Sequence, residues 1–147
     1  MAGGATVSGC DNHPGAIAER LTARGASIQH GQSASHIDAS VAAVITTSAV
    51  PADHPELAAA RDAKIPVFKR AAALGSLVNR GTVVGIAGTH GKTTSTAMAT
   101  SVLAEAGLNP TGFVGGPVPG WDSGLHQGGD QLFVVEADEY DRSFLTL

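Results

Sequence analysis

Cysteine, aromatic residues and charge are all scarce in this 147-residue chain, and each scarcity excludes something. Cys10 is the only cysteine, so no internal disulfide can form, and the count argues against a cysteine-based zinc site. A lone thiol suits a reducing compartment. Aromatics make up 4% and charged residues 15%, against 43% hydrophobic, a balance too apolar and too weakly charged for a disordered chain. No apolar run approaches the roughly 18 residues a membrane helix needs. The N-terminus has no basic segment followed by an apolar stretch, as a signal peptide would. The basic residues form no stripe, which argues against nucleic-acid binding as the main activity. Neither nucleic acid nor membrane is therefore an expected partner.

What charge there is lies unevenly. The formal net charge is −4; residues 1–81 carry seven Lys/Arg and six Asp/Glu, residues 82–147 two and seven. Four of those seven acids fall between Glu136 and Asp141. Such a cluster either faces solvent or sits near a cation.

Short apolar segments alternate with helical ones along the whole chain. Strands are expected at Ala5–Ser8, Ala26–His30, Val41–Thr46, Pro66–Phe68, Thr82–Ala87, Thr111–Val114 and Gln131–Val135. Helices are expected from Asn12 or His13 to Gly25, from a capping box of Asp53 and Glu56 around Pro55 to about Ala63, over Ala71–Val78, and from Lys92 to Ala106. The first would carry Ile17 and Leu21 on one face, and the last would turn Ala97, Val102, Leu103 and Ala106 inward. Residues 117–130, rich in Gly and Pro, read as a loop. Strands that are apolar throughout, each followed by a helix, predict an α/β protein with parallel sheets built from βαβ units. The joint between two domains, 1–80 and 81–147, is expected near Asn79–Gly81, where the charge balance changes and a fresh strand–loop–helix unit begins.

That unit carries the strongest chemical signal. Gly88-Thr89-His90-Gly91-Lys92-Thr93-Thr94 follows an apolar strand and opens a helix. Glycines permit a tight turn, successive backbone N–H groups point inward, and the helix N-terminus adds partial positive charge, so the loop suits the phosphates of a nucleotide. Lys92 would reach the β- and γ-phosphates, and Thr93 would offer its hydroxyl to Mg²⁺. The match to G-x-x-x-x-G-K-[ST] is incomplete, because Ile86 stands where the first Gly belongs. The plainer alternative is a Gly-rich turn whose lysine faces solvent.

Glu136 directly follows the apolar run Leu132–Val135. A carboxylate at the end of a parallel strand beside a phosphate loop can hold Mg²⁺ or its waters; Asp138 and Glu139 are weaker candidates, and a solvated acidic turn is the alternative. Asp11, at the end of an early strand, could bond a ribose or sugar ring or merely cap a helix. His90 lies inside the loop and could touch substrate. The other five histidines read as surface residues.

These residues together resemble the Mur ligase family. Gly85 to Thr94 followed by Val135-Glu136-Ala137-Asp138-Glu139 match its two central motifs, and Val7–Asp11, Ala49–Glu56, Ile65-Pro66-Val67 and Arg70-Ala71 follow it in order and spacing. Within the family, the histidine in the loop and the Glu-Ala-Asp-Glu run are most similar to members that join L-alanine to UDP-N-acetylmuramic acid. The resemblance implies a Rossmann-like N-terminal domain for the UDP-sugar and a central P-loop ATPase-type domain. The implied reaction uses ATP and Mg²⁺ in cytoplasmic peptidoglycan synthesis, through an acyl phosphate attacked by the amine. It implies that Gly88 to Thr94 bind ATP, that Lys92 stabilises the transferring phosphoryl group, that Thr93 and Glu136 serve Mg²⁺, and that Asp11 lies at the uridine end. By the same comparison, residues 1–80 lack the first βα unit, residues 81–147 are the N-terminal part of the ATP-binding domain, and the chain is expected to be an incomplete fragment, inactive alone. Gln32 stands where the family usually has His, and Leu125-His126-Gln127 where an Asn-Ala-Arg-like stretch is frequent. Three other readings stay open: a ligase that adds a recycled tripeptide to the same UDP-sugar, a P-loop NTPase or kinase that forms no amide, and a non-catalytic nucleotide-binding module.

Overall fold

A computed structural model describes residues 4–137; Asp138, Glu139 and the rest of the acidic run beyond them lie outside the described residues. The elements run β1 (Ser8–Asp11), α1 (Ala16–Ala23), β2 (Ser27–His30), a short 3-10 helix (Ala34–His36), β3 (Val44–Thr46), α2 (Pro55–Asp62), β4 (Val67–Lys69), α3 (Arg70–Val78), β5 (Thr82–Ile86), α4 (Lys92–Glu105), β6 (Thr111–Phe113), β7 (Leu125–His126) and β8 (Leu132–Glu136). The chain divides into two compact units, one of residues 1–44 and 49–67 and the other of residues 45–48 and 68–147. The expected α/β architecture with parallel sheets is present.

In the first unit β1 and β2 pair in parallel, with Asp11 opposite His30. Helix α1 starts later than its sequence suggests. Gly15 precedes it without a side-chain cap, and Asp11 instead accepts the His13 backbone N–H at 2.8 Å in a local turn. Ile17 and Leu21 share a face, but both are exposed. The Asp53 cap is also corrected. Pro55 occupies the first helical position, which makes His54 the cap, and its Nδ1 accepts the Glu56 backbone N–H at 3.3 Å. His54 is buried rather than at the surface. Strand β3 begins only at Val44 rather than Val41, and Ile45 is exposed despite its apolar run.

The second unit is a four-stranded sheet in the order β5-β8-β6-β7. β8 pairs in parallel with both β5 and β6, while β7 runs antiparallel to β6. β7 falls inside the segment expected to be a loop. Strand β8 is central, and its apolar run is buried at Phe133, Val134 and Val135. Side chains alternate across a strand, so Phe133 and Val135 share one face, where they pack with Val78 and Leu74 of α3. Val134 faces the other way, as does its partner Gly112, whose missing Cβ leaves room for Thr100 of α4. Helices α3 and α4 thus cover opposite faces.

Helix α4 corrects the expected inward set. Thr96 and Thr100 are fully buried, Ala97 and Leu103 are half-buried, and Val102 and Ala106 are exposed. Thr100 satisfies its hydroxyl on the Thr96 carbonyl at 2.8 Å, whereas the Thr96 hydroxyl is buried with no hydrogen-bond partner among the described residues.

The loop before β8 is held by close backbone approach. A Cβ on Gly128 would lie 2.1 Å from the Pro110 carbonyl oxygen, whereas one on Gly116 would meet nothing within 4 Å. Gly128→Ala is expected to cost about 1–3 kcal/mol, the usual penalty for forcing backbone apart, and Gly116→Ala close to nothing. Urea unfolding followed by the fluorescence of Trp121, the only tryptophan, measures both; equal midpoints would refute the close approach.

Candidate functional site

The loop between β5 and α4 is built as the sequence implies. β5 ends at Ile86, and Gly91 caps α4 in the left-handed region at φ 76°, a conformation that favours glycine. Gly88 has φ 156°. Thr89 and His90, between the two glycines, are exposed, as is Thr94 in the first turn of the helix. Lys92 folds back over the loop and donates from Nζ to the Gly88 carbonyl at 2.8 Å. Its ammonium therefore sits at the helix N-terminus, where an anion would be drawn.

Parallel pairing brings the second motif to the same place. Ile86 lies opposite Glu136 in the register of β5 and β8, and Ala137 donates its N–H to the Ile86 carbonyl at 3.0 Å. The Glu136 carboxylate thereby reaches the first turn of α4. The Thr93 hydroxyl donates to it, with oxygens at 3.1 and 3.0 Å. The Gly115 backbone N–H, just past β6, donates to the same carboxylate at 2.8 Å. Gly115 was not legible as a site residue, although a Gly-Gly pair after an apolar strand is the available signal. Beside Glu136 opens a cleft walled by Arg70, Leu74, Phe113 and Val114.

A hydroxyl and a carboxylate in contact are hard oxygen donors, the kind Mg²⁺ takes in small number alongside water and phosphate oxygens. Thr93 and Glu136 therefore fit that ion, and Lys92 fits the phosphates next to it. Together they can neutralise charge on a transferring phosphoryl group. Asp11 belongs to the other compact unit, at the exposed end of β1, where its carboxylate is engaged in the local turn.

A second cluster lies in the first unit. His36 Nδ1 stands 2.6 Å from Glu56 Oε1, and Cys10 Sγ is close to both. His36 is thus partnered and half-buried, contrary to the surface reading. Burial, then the hydrogen bond to Glu56 and the negative charges of Glu56 and Asp11, push the Cys10 thiol up to about 11. Burial alone would raise the Glu56 carboxyl, but hydrogen bonds from Cys10, His36 and the Ser33 backbone, with the charge of His36, leave it below its ordinary value.

Comparison with known proteins places the chain among relatives. The model of the Mur ligase family, catalytic domain, matches residues 1–82. The UDP-N-acetylmuramate–L-alanine ligase of Leptothrix cholodnii is 49% identical over 98% of this chain and 30% of its own length; the chain spans about that share of the curated relatives it matches. Among solved structures, the UDP-N-acetylmuramate-alanine ligase of Thermotoga maritima superposes with a TM-score of 0.81 at 31% identity, over 90% of this chain and 31% of that one. A murein peptide ligase of Psychrobacter arcticus gives 0.86 at 25% identity, over 99% and 36%. Among the described residues no helix is long and apolar enough to cross a membrane. The family model covers more than half of the 147 residues, and the chain therefore belongs to the Mur ligase family.

Proposed function

We propose that this chain forms the UDP-sugar-binding and phosphate-loop portion of a cytoplasmic enzyme of peptidoglycan precursor synthesis that ligates L-alanine to UDP-N-acetylmuramic acid. Residues 1–80 act as the UDP-sugar domain and residues 81–147 as the start of the ATP-binding domain. The observation that carries this reading is the convergence of Lys92, Thr93 and Glu136 at the N-terminus of α4. A carboxylate is a poor electrophile until activated; transfer to it of the γ-phosphoryl group of ATP, with ADP leaving, would supply that activation, and attack by the amine would then expel inorganic phosphate.

Each residue has a part in that chemistry. Backbone N–H groups from Gly88 to Thr94, with Thr89 and His90 at the rim, cradle the phosphates. Lys92 leaves the Gly88 carbonyl to stabilise the charge that spreads over the transferring phosphoryl oxygens. Thr93 and Glu136 hold the metal, with Gly115 fixing the carboxylate. His90 borders the sugar substrate, and Asp11 bonds the uridine end.

Two experiments test the reading. Mg-ATP should raise the melting temperature of the chain, since a ligand that binds only the folded state stabilises it by about 2.7 kcal/mol at 100 times its Kd. Lys92→Ala should remove most of that shift; an unchanged response would mean the loop does not hold the phosphates. A chimera, with this chain replacing the matching segment of the Leptothrix ligase, should convert ATP, UDP-N-acetylmuramic acid and L-alanine to the alanyl product. A folded chimera without product would sink the proposal. The likeness to a murein peptide ligase favours a second reading, addition of a tripeptide to the same sugar. Supplying either amine to the polypeptide that carries this segment in the cell, and weighing the product, separates the two.

A further inference from the structure

We propose that Cys10, His36 and Glu56 form a binding site for one divalent transition-metal ion of the zinc type, in the first unit and apart from the phosphate loop. The three side chains come from three elements: the third residue of β1, the end of the 3-10 helix, and the first turn of α2. One ligand atom from each, Sγ, a ring nitrogen and a carboxylate oxygen, lie within 4.8 Å of one another, and all three residues are half-buried.

The chemistry of the set selects the metal. Thiolate, imidazole and carboxylate are the three donor types of zinc sites, with bonds of about 2.0–2.3 Å and hence donors roughly 3.3–3.8 Å apart around a tetrahedral ion. His36 and Glu56, now 2.6 Å apart, need open by less than 1 Å to admit it. The ion would displace the Cys10 thiol proton, which leaves to solvent; thiolate and carboxylate then carry two negative charges and the neutral imidazole none, so the ion is matched in charge. Three protein ligands leave a fourth position for water, the arrangement of an open rather than a closed zinc site. The sulfur excludes Mg²⁺ and Ca²⁺, which take oxygen donors.

The carboxylate is held from behind. The Ser33 backbone hydrogen-bonds to it, and Ser33 also caps the 3-10 helix by accepting the Ser35 N–H at 3.2 Å. The helix that brings in Glu56 is capped by His54, whose Nδ1 accepts the Glu56 N–H. Outer-shell bonds of this kind orient metal ligands and tune affinity. Cysteine counting could not find the site, because its one thiol meets a histidine and a glutamate distant in the chain.

The single cysteine makes the test specific. Cobalt(II), added to the reduced chain, should give a near-ultraviolet thiolate-to-cobalt charge-transfer band that saturates at one equivalent, with the strong visible bands of tetrahedral coordination. Zn²⁺ should abolish both by displacement, since it binds such sites more tightly than cobalt. Cys10→Ser should remove the charge-transfer band while circular dichroism stays unchanged. His36→Gln and Glu56→Gln keep the thiol, and each should weaken cobalt binding by more than the roughly 10–100-fold typical of losing an outer-shell partner. Absence of the band in the parent chain overturns the proposal, as does weak octahedral cobalt held by scattered histidines. Cobalt affinity unchanged in both Gln variants also overturns it. Should Cys10→Ser fail to fold, the two Gln variants decide.

Discussion

Phe133→Ala is expected to remove about 3–5 kcal/mol of stability from the second unit, the range for truncating a fully packed phenylalanine. Phe133 is 3% exposed at the centre of β8, the strand that pairs on both sides, and it packs with Val78 and Val135. Domains are stable by only about 5–15 kcal/mol in total, so the loss is a large fraction of the whole. With a urea dependence of about 1–3 kcal/mol per molar, the midpoint should fall by roughly 1 M or more. Phe68, in the same unit but 47% exposed, supplies the comparison: Phe68→Ala should move the midpoint little. Trp121 lies in this unit, with its ring centroid 5.3 Å from that of His126, and reports its unfolding directly. Equal shifts for the two variants would show that the core does not centre on β8. Because β8 also ends in Glu136, the same strand holds the sheet together and aims the carboxylate.

The parts of this arrangement visible in the sequence are those fixed by local pattern. A β-branched run, a Gly-bounded turn and a helix start place Gly88 to Thr94 between β5 and α4, and LFVV delivers Glu136 to the end of β8. The parts that were hidden depend on partners remote in the chain. Thr96 and Thr100 look polar, yet helix α4 buries both: the Thr100 hydroxyl donates to the Thr96 carbonyl, and Gly112 lets the helix approach. His54 reads as a surface histidine until Pro55 makes it a cap. The glycines at 124 and 128 look like flexible loop, but a Cβ on either would strike backbone at 2.3 or 2.1 Å, so they mark packed chain. Gly115 contributes through its N–H alone, which no side-chain motif records.

Thr93→Ala and Glu136→Gln are expected to cut product formation by the Leptothrix chimera on the order of 10²-fold or more, since both residues act on charge that develops during transfer. The two effects should differ in kind. Glu136 contacts both Thr93 and the Gly115 N–H, so replacing it by Gln keeps the side chain's size and removes its charge. A higher Mg²⁺ concentration for half-maximal rate is therefore expected, along with the lower rate. Thr93→Ala removes a neutral oxygen from the same site, and some of its loss should be recovered at high Mg²⁺. The double variant tests whether they act as one unit: residues that share a step are far from additive, so its loss should stay well short of the product of the single losses. Titrating Mg²⁺ against rate for the parent, the two singles and the double measures this. Parent-like curves for Glu136→Gln would return the carboxylate to a structural role as a clamp between α4 and the end of β6. Losses that multiply would mean that Thr93 and Glu136 serve separate steps despite lying 3.0 Å apart.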